Sequence, residues 1–178
     1  MKTIFVTSII YILIFNQQVN AQKKNSCCNI SGTVTSTSQY CGGAEPSREL
    51  LDEYGRPKPM AGKELFVKAG KENSKKNKIV CSFKTDSLGN FKFQLAKGSY
   101  CIVEKSKTAT LVIPENDATS TWDVNCLKTE YSKCDCQLEV TDKDLSGIQI
   151  NFHTPCPWSV PCRQYEGPLP PSAPPVKE

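Results

Sequence analysis

The residues able to do chemistry in this chain are few. His153 is the sole histidine and so the main candidate base for a serine or cysteine nucleophile. It follows Phe152 at the end of an alternating stretch and precedes Thr154-Pro155-Cys156, with no Gly-x-Ser-x-Gly elsewhere. Asp52 with Glu53, Glu115 with Asp117, and Asp142 with Asp144 supply the paired carboxylates that glycoside hydrolysis requires, but each pair falls in a stretch that reads as a turn or helix end. Asp142-Lys143-Asp144 also lacks the longer acidic loop of a calcium site. No catalytic residue and no cofactor is assigned, and the expectation is a non-enzyme.

The cysteines carry more weight. There are ten, Cys27, Cys28, Cys41, Cys81, Cys101, Cys126, Cys134, Cys136, Cys156 and Cys162. One chemistry is metal binding: Cys27, Cys28, Cys134, Cys136, His153 and Cys156 are soft ligands at short spacings that suit zinc or cuprous copper. No Cys-x-x-Cys is present, however. An even count in an exported chain reads as disulfides, so all ten are disulfide candidates, in five bridges whose connectivity spacing alone leaves open.

Export is read from residues 1–21. Lys2 supplies a positive start, Ile4 to Phe15 an apolar stretch, and Val19-Asn20-Ala21 a small-residue cleavage site near Ala21. The apolar run is shorter than the ~20 residues of a spanning helix, and no membrane span is expected in the mature chain. The protein is thus placed outside the cytoplasm: secreted, periplasmic or at the cell surface. A formal net charge of +4 is bland. Its one dense basic patch, Lys71, Lys75, Lys76 and Lys78 around Glu72, lacks the stacking aromatics of a nucleic-acid site and reads as a solvated loop.

Period-two alternation predicts strands near 28–36, 63–69, 78–85, 90–95, 99–104, 110–113, 137–140 and 148–152. The clearest is Phe91-Lys92-Phe93-Gln94-Leu95, between the turn residues Asp86-Ser87-Leu88-Gly89-Asn90 and Ala96-Lys97-Gly98. Residues 37–56 form a polar insert whose Pro46–Tyr54 stretch predicts a short helix stopped at Gly55. A second helix is placed at 119–131, inside a helical insert spanning 115–133. Residues 155–178 hold eight of the twelve prolines and read as an unpacked tail. The domain organisation is therefore a leader at 1–21, a β-sandwich at 22–154 and a Pro-rich tail at 155–178.

Four segments resemble the carboxypeptidase regulatory-like domain, also called transthyretin-like or prealbumin-like. Ile30-Ser31-Gly32-Thr33-Val34-Thr35 is similar to its opening Gly-x-Val strand. Gly55 to Val67 is similar to its Pro-Leu-x-Gly-x-x-Val segment, with Met60 where Leu is usual. Thr85-Asp86-Ser87-Leu88-Gly89-Asn90-Phe91 and Leu95-Ala96-Lys97-Gly98-Ser99-Tyr100 are similar to its Thr-Asp-x-x-Gly-x-Phe and Leu-Pro-x-Gly-x-Tyr turns. The resemblance covers roughly residues 29–105 and extends more loosely to small cysteine-bearing exported versions of the Bacteroidetes type. It implies a mainly β protein: an antiparallel Greek-key β-sandwich of about seven strands, here with short helical inserts. It implies no catalytic residues, only an accessory or binding module.

Loops on such a scaffold are the natural binding elements. The first candidate is the insert 37–56, with Gly42 and Gly43 open to close approach by a partner backbone, and with Glu45 and Arg48 alongside. The second is 156–165, where Trp158 and Tyr165 stand among prolines. The partner is an unknown protein or glycan, with nucleic acid not expected.

Overall fold

The computed structural model describes residues 27–168; the expected leader at 1–21 and the last part of the tail, 169–178, lie outside the described residues. In chain order its strands are β1 (Cys27–Ser38), β2 (Lys58–Pro59), β3 (Glu64–Ala69), β4 (Ile79–Lys84), β5 (Asn90–Ala96), β6 (Gly98–Glu104), β7 (Ser120–Trp122), β8 (Cys136–Val140), β9 (Leu145–Thr154) and β10 (Arg163–Tyr165). Two helices interrupt them, α1 (Arg48–Gly55) and α2 (Val124–Ser132).

Alternation along β1 buries Cys28, Ile30 and Val34 and turns Asn29, Ser31, Thr33 and Thr35 to the opposite face. β1 holds β5 and the short β2 antiparallel on one side and β9 on the other. The second sheet has the order β4-β3-β6-β8, all antiparallel. Between the two sheets lie Leu65, Val67, Phe83, Tyr100, Ile102, Leu138 and Val140 from one and Ile30, Val34, Phe91, Leu95 and Ile150 from the other. Each fully buried aliphatic or phenyl group there stabilises by about 1.5–3 kcal/mol. The architecture is the expected mainly β sandwich with short helical inserts.

The turn between β4 and β5 shows why its residue types are needed. The buried Thr85 hydroxyl donates to the Met60 carbonyl at 2.5 Å and accepts from Lys63 N–H at 2.8 Å, tying this turn to the one before β3. Asp86 Oδ1 accepts from the backbone N–H of Leu88 and Asn90, at 2.9 and 2.8 Å. Gly89 has φ 77°, and a Cβ there would lie 2.6 Å from the Val34 carbonyl oxygen. Phe91 then enters a cluster with Phe83 and Phe93, ring centroids 4.5–5.7 Å apart.

Several expectations need correction. The β1–β9 pairing is parallel, from Ile30↔Leu145 to Ser38↔Thr154. Residues 110–113 form no strand: Val112 is 81% exposed, and the stretch pairs with no strand among the described residues. The helix expected at 119–131 begins later, because Ser120–Trp122 extends as β7 and Asp123 caps α2, its Oδ1 accepting from Asn125 and Cys126 N–H. The proline-rich tail is packed in its first part, where β10 pairs antiparallel with β7.

Among the described residues there are three disulfides, not five: Cys41–Cys156, Cys101–Cys134 and Cys126–Cys162. Cys28, Cys81 and Cys136 are not bridged. Cys28 is buried in the core opposite Leu95. Cys81 and Cys136 end one row across the second sheet, Cys81–Val67–Ile102–Cys136. Three strand spacings separate them by about 14 Å, twice the Cα separation a bridge tolerates. Burial raises both thiols above their ordinary pKa, with Asp135 adding to the effect at Cys136.

Candidate functional site

The parallel pairing of β1 and β9 decides where the chain's non-sandwich segments gather. Parallel neighbours emerge at the same end of a sheet, so the insert after β1 and the segment after β9 start side by side. The ladder continues past the last pair through Gln39 N–H to the Thr154 carbonyl, 3.0 Å. Cys41 and Cys156 then join the two segments with Cα atoms 5.5 Å apart. Gln39 Oε1 reinforces the junction by accepting from Cys156 N–H at 3.3 Å and from the Ser159 hydroxyl at 2.8 Å. The two loops chosen from the sequence thus form one rim.

On this rim α1 is capped by Ser47, whose hydroxyl oxygen accepts from Leu50 N–H at 3.3 Å. The Glu49 carboxyl in its first turn is held below the usual carboxylate range by hydrogen bonding to its own backbone N–H and to Ser47. No residue of α1 is buried. Leu51 is 49% and Tyr54 37% exposed, and the Tyr54 ring meets Tyr40 edge-on with centroids 5.6 Å apart. Glu45 and Arg48 are exposed beside them and Gly43 is half-buried. Trp158 lies half-buried in the short 3-10 turn Pro157–Ser159.

Two sequence-predicted residues have intramolecular contacts that the sequence did not show. At Gly42, which is exposed, a Cβ would lie 2.0 Å from the Tyr40 hydroxyl, so the missing side chain admits a ring of the same chain. Tyr165 is engaged by its neighbours. Its hydroxyl donates to the Pro168 carbonyl at 3.2 Å, and the Arg163 guanidinium lies 5.3 Å from its ring and 5.7 Å from that of Trp122. Arg163 Nε also donates to the buried Ser120 hydroxyl at 2.7 Å, and a guanidinium nitrogen lies 3.9 Å from Asp117. Thr119, through its backbone N–H and hydroxyl, holds the Asp117 carboxyl below its ordinary pKa; Ser120 and Arg163 contribute less. This Trp122–Arg163–Tyr165 stack had no signal in the sequence, because it depends on pairing two three-residue strands about forty positions apart.

The alternative metal set is not assembled. Cys134 and Cys156 are consumed in disulfides with Cys101 and Cys41. His153 is exposed, its Nδ1 3.2 Å from the Thr37 hydroxyl. No group of three or more His, Cys, Asp or Glu able to hold a metal ion occurs among the described residues. Asp144 instead accepts from the Asn29 backbone and side-chain amides at 2.8 and 2.9 Å, and Asp142 pairs with Lys97 at 3.4 Å.

No family model matches this chain, and no curated protein does. Among solved structures, the crystal structure of the major plantain pollen allergen Pla l 1 is similar at 15% identity. The likeness spans 74% of this chain and 98% of the allergen, with a TM-score of 0.29. Among the described residues no helix is long and apolar enough to cross a membrane. The three disulfides fit an oxidising environment.

Proposed function

We propose that the protein is an exported, non-enzymatic module of the carboxypeptidase regulatory-like kind that binds a partner through the rim formed by 37–56 and 156–165. The observation that carries this reading is the Cys41–Cys156 bridge, which fuses the two loops into one surface on a rigid sandwich. A polypeptide partner is favoured over a glycan. The exposed part of α1 sets the aliphatic Leu51 beside Tyr54, a pairing suited to an apolar side-chain contact. A glycan platform would instead present aromatic faces, and Tyr40 and Tyr54 meet edge-on. The resemblance across residues 29–105 agrees with an accessory role outside the cytoplasm.

The test is crosslinking capture from the producing cell's surface and culture fluid with three forms of the protein. These are the unaltered chain, the double variant Leu51→Glu with Tyr54→Glu, and Lys92→Glu on the polar face of the first sheet. The rim reading expects partners enriched by the unaltered chain and by Lys92→Glu, and reduced about tenfold or more by the rim variant. Equal enrichment by all three forms would overturn it, as would saturable binding to a glycan array that the rim variant leaves intact.

A further inference from the structure

The lysine-rich loop after β3 does more than meet solvent. Leu65 and Val67 point into the core, so Lys68 is turned to the outer face of the second sheet, in register with Cys101. Residues 71–78, the stretch around Thr108–Thr110 and Tyr131 wall it in, and Lys68 is only 5% exposed. Its ammonium donates to Asn73 Oδ1 at 2.6 Å and to the Ser74 carbonyl at 2.7 Å, both neutral acceptors. Asn73 is itself buried and fixed in orientation, its amide nitrogen donating to the carbonyls of Lys107 and Tyr131 at 3.0 and 2.8 Å. An ammonium has three protons; with two committed, the third is left for the space in front of it.

That space is a cleft of about 660 Å³ lined by Lys68, Lys75, Lys78, Asn77, Thr110 and Tyr131, with Ile79 and Ala109 as its apolar wall. The lining contains three lysines and no carboxylate. Some lysines nearby are paired with carboxylates, Lys63 with Glu104, Lys107 with Asp135 and Lys71 with Glu139. Among the described residues, no such pair includes Lys68, Lys75 or Lys78. Burial pushes the Lys68 ammonium below its usual pKa, and no neighbouring carboxylate opposes the shift. A buried cation held only by neutral acceptors is costly, and an anion entering the cleft would offset that cost.

We propose that this cleft binds an oxyanion group, a phosphate or sulfate, with Lys68 as the buried anchor and Lys75 and Lys78 closing over it from the mouth. Separate ammonium donors suit a group that carries several acceptor oxygens and one to two negative charges. The volume falls in the range of small-molecule pockets and exceeds what a lone ion fills. The apolar wall at Ile79 and Ala109 suits the carbon skeleton of a phosphate or sulfate ester.

The experiment is amide-shift titration of the folded, disulfide-intact protein. The probes are inorganic phosphate, inorganic sulfate, glucose 6-phosphate and N-acetylglucosamine 6-sulfate. Saturable shifts centred on Lys68, Asn77 and Thr110 are expected with at least one probe. Tighter binding of an ester than of its inorganic ion assigns the group to a larger ligand, and equal binding assigns it to the free ion; both support the site. Lys68→Met, which keeps the bulk and removes the charge, is expected to weaken binding about tenfold or more. Lys75→Ala with Lys78→Ala, on exposed positions that leave the fold intact, is expected to weaken it as well, and Lys92→Met to leave it unchanged. The proposal is overturned if none of the four probes saturates by roughly 10 mM, or if the Lys68 and Lys75/Lys78 variants bind as tightly as the unaltered chain.

Discussion

Gly89 shows what a single residue type contributes to this fold. Its φ of 77° and the Val34 carbonyl oxygen 2.6 Å from where a Cβ would stand leave no room for a side chain. The same carbonyl accepts from Met60 N–H at 3.0 Å, and Gly89 itself accepts from Val34 N–H at 2.8 Å. A side chain at 89 would therefore disturb the joint between β1, β2 and the turn into β5 together. Gly89→Ala is expected to destabilise the protein by about 1–3 kcal/mol, read as a lower urea midpoint with an unchanged slope. A shift within about 0.5 kcal/mol would mean that the turn relaxes freely. This turn was legible in the sequence because Thr85, Asp86, Gly89 and Phe91 act within a few positions of one another. A further constraint on Gly42 was not legible, for the opposite reason. Gly42 accommodates the Tyr40 ring, and the intervening Cys41 is bridged to a cysteine 115 residues away, a partner that spacing alone left open.

Among the elements, strands whose two faces differ in polarity were readable, and those whose order rests on distant partners were not. β3, β5 and β9 alternate and were placed within a few residues of their observed bounds. Leu111-Val112-Ile113 has strand composition but pairs with no strand among the described residues. Ser120–Trp122 has such a neighbour in β10 and becomes extended. The start of α2 carried an overlooked signal, an aspartate at the capping position. Asp123 Oδ1 accepts from Asn125 N–H at 2.9 Å and Cys126 N–H at 3.0 Å, and its own N–H donates to the Cys162 carbonyl at 2.9 Å. Asp123→Ala removes the side-chain cap and keeps the backbone bond, so α2 is expected to lose about 1 kcal/mol of local stability. Hydrogen exchange is the measurement: amides at 125–132 should exchange faster while those of β3 and β6 hold. Unchanged exchange across α2 would mean that the Cys126–Cys162 bridge alone fixes the helix start.

Across the whole molecule, the bridges and the hydrophobic core divide the work. The core is aliphatic and phenyl packing between two sheets, and no disulfide crosses it. The bridges run in series through everything else. Cys101 on β6 holds Cys134 just past α2, Cys126 in α2 holds Cys162 before β10, and Cys156 holds Cys41 in the first insert. Helices α1 and α2 have no buried residue, so neither contributes enough apolar burial to stay docked unaided. A bridge typically stabilises by about 2–4 kcal/mol, comparable to the burial these segments lack. Reduction without denaturant should therefore separate two tiers of stability. Amides in α1, α2 and 156–165 are expected to lose protection by about tenfold or more, while β1, β3 and β6 keep theirs. A single cooperative loss of protection across strands and helices alike would overturn this division and make the bridges part of the core's own stability. The parallel β1–β9 pair gives two of the bridged segments a common location. It sets the insert after β1 and the segment after β9 side by side at one end of the sandwich, so both are expected to loosen together on reduction while the strands beneath them stay protected.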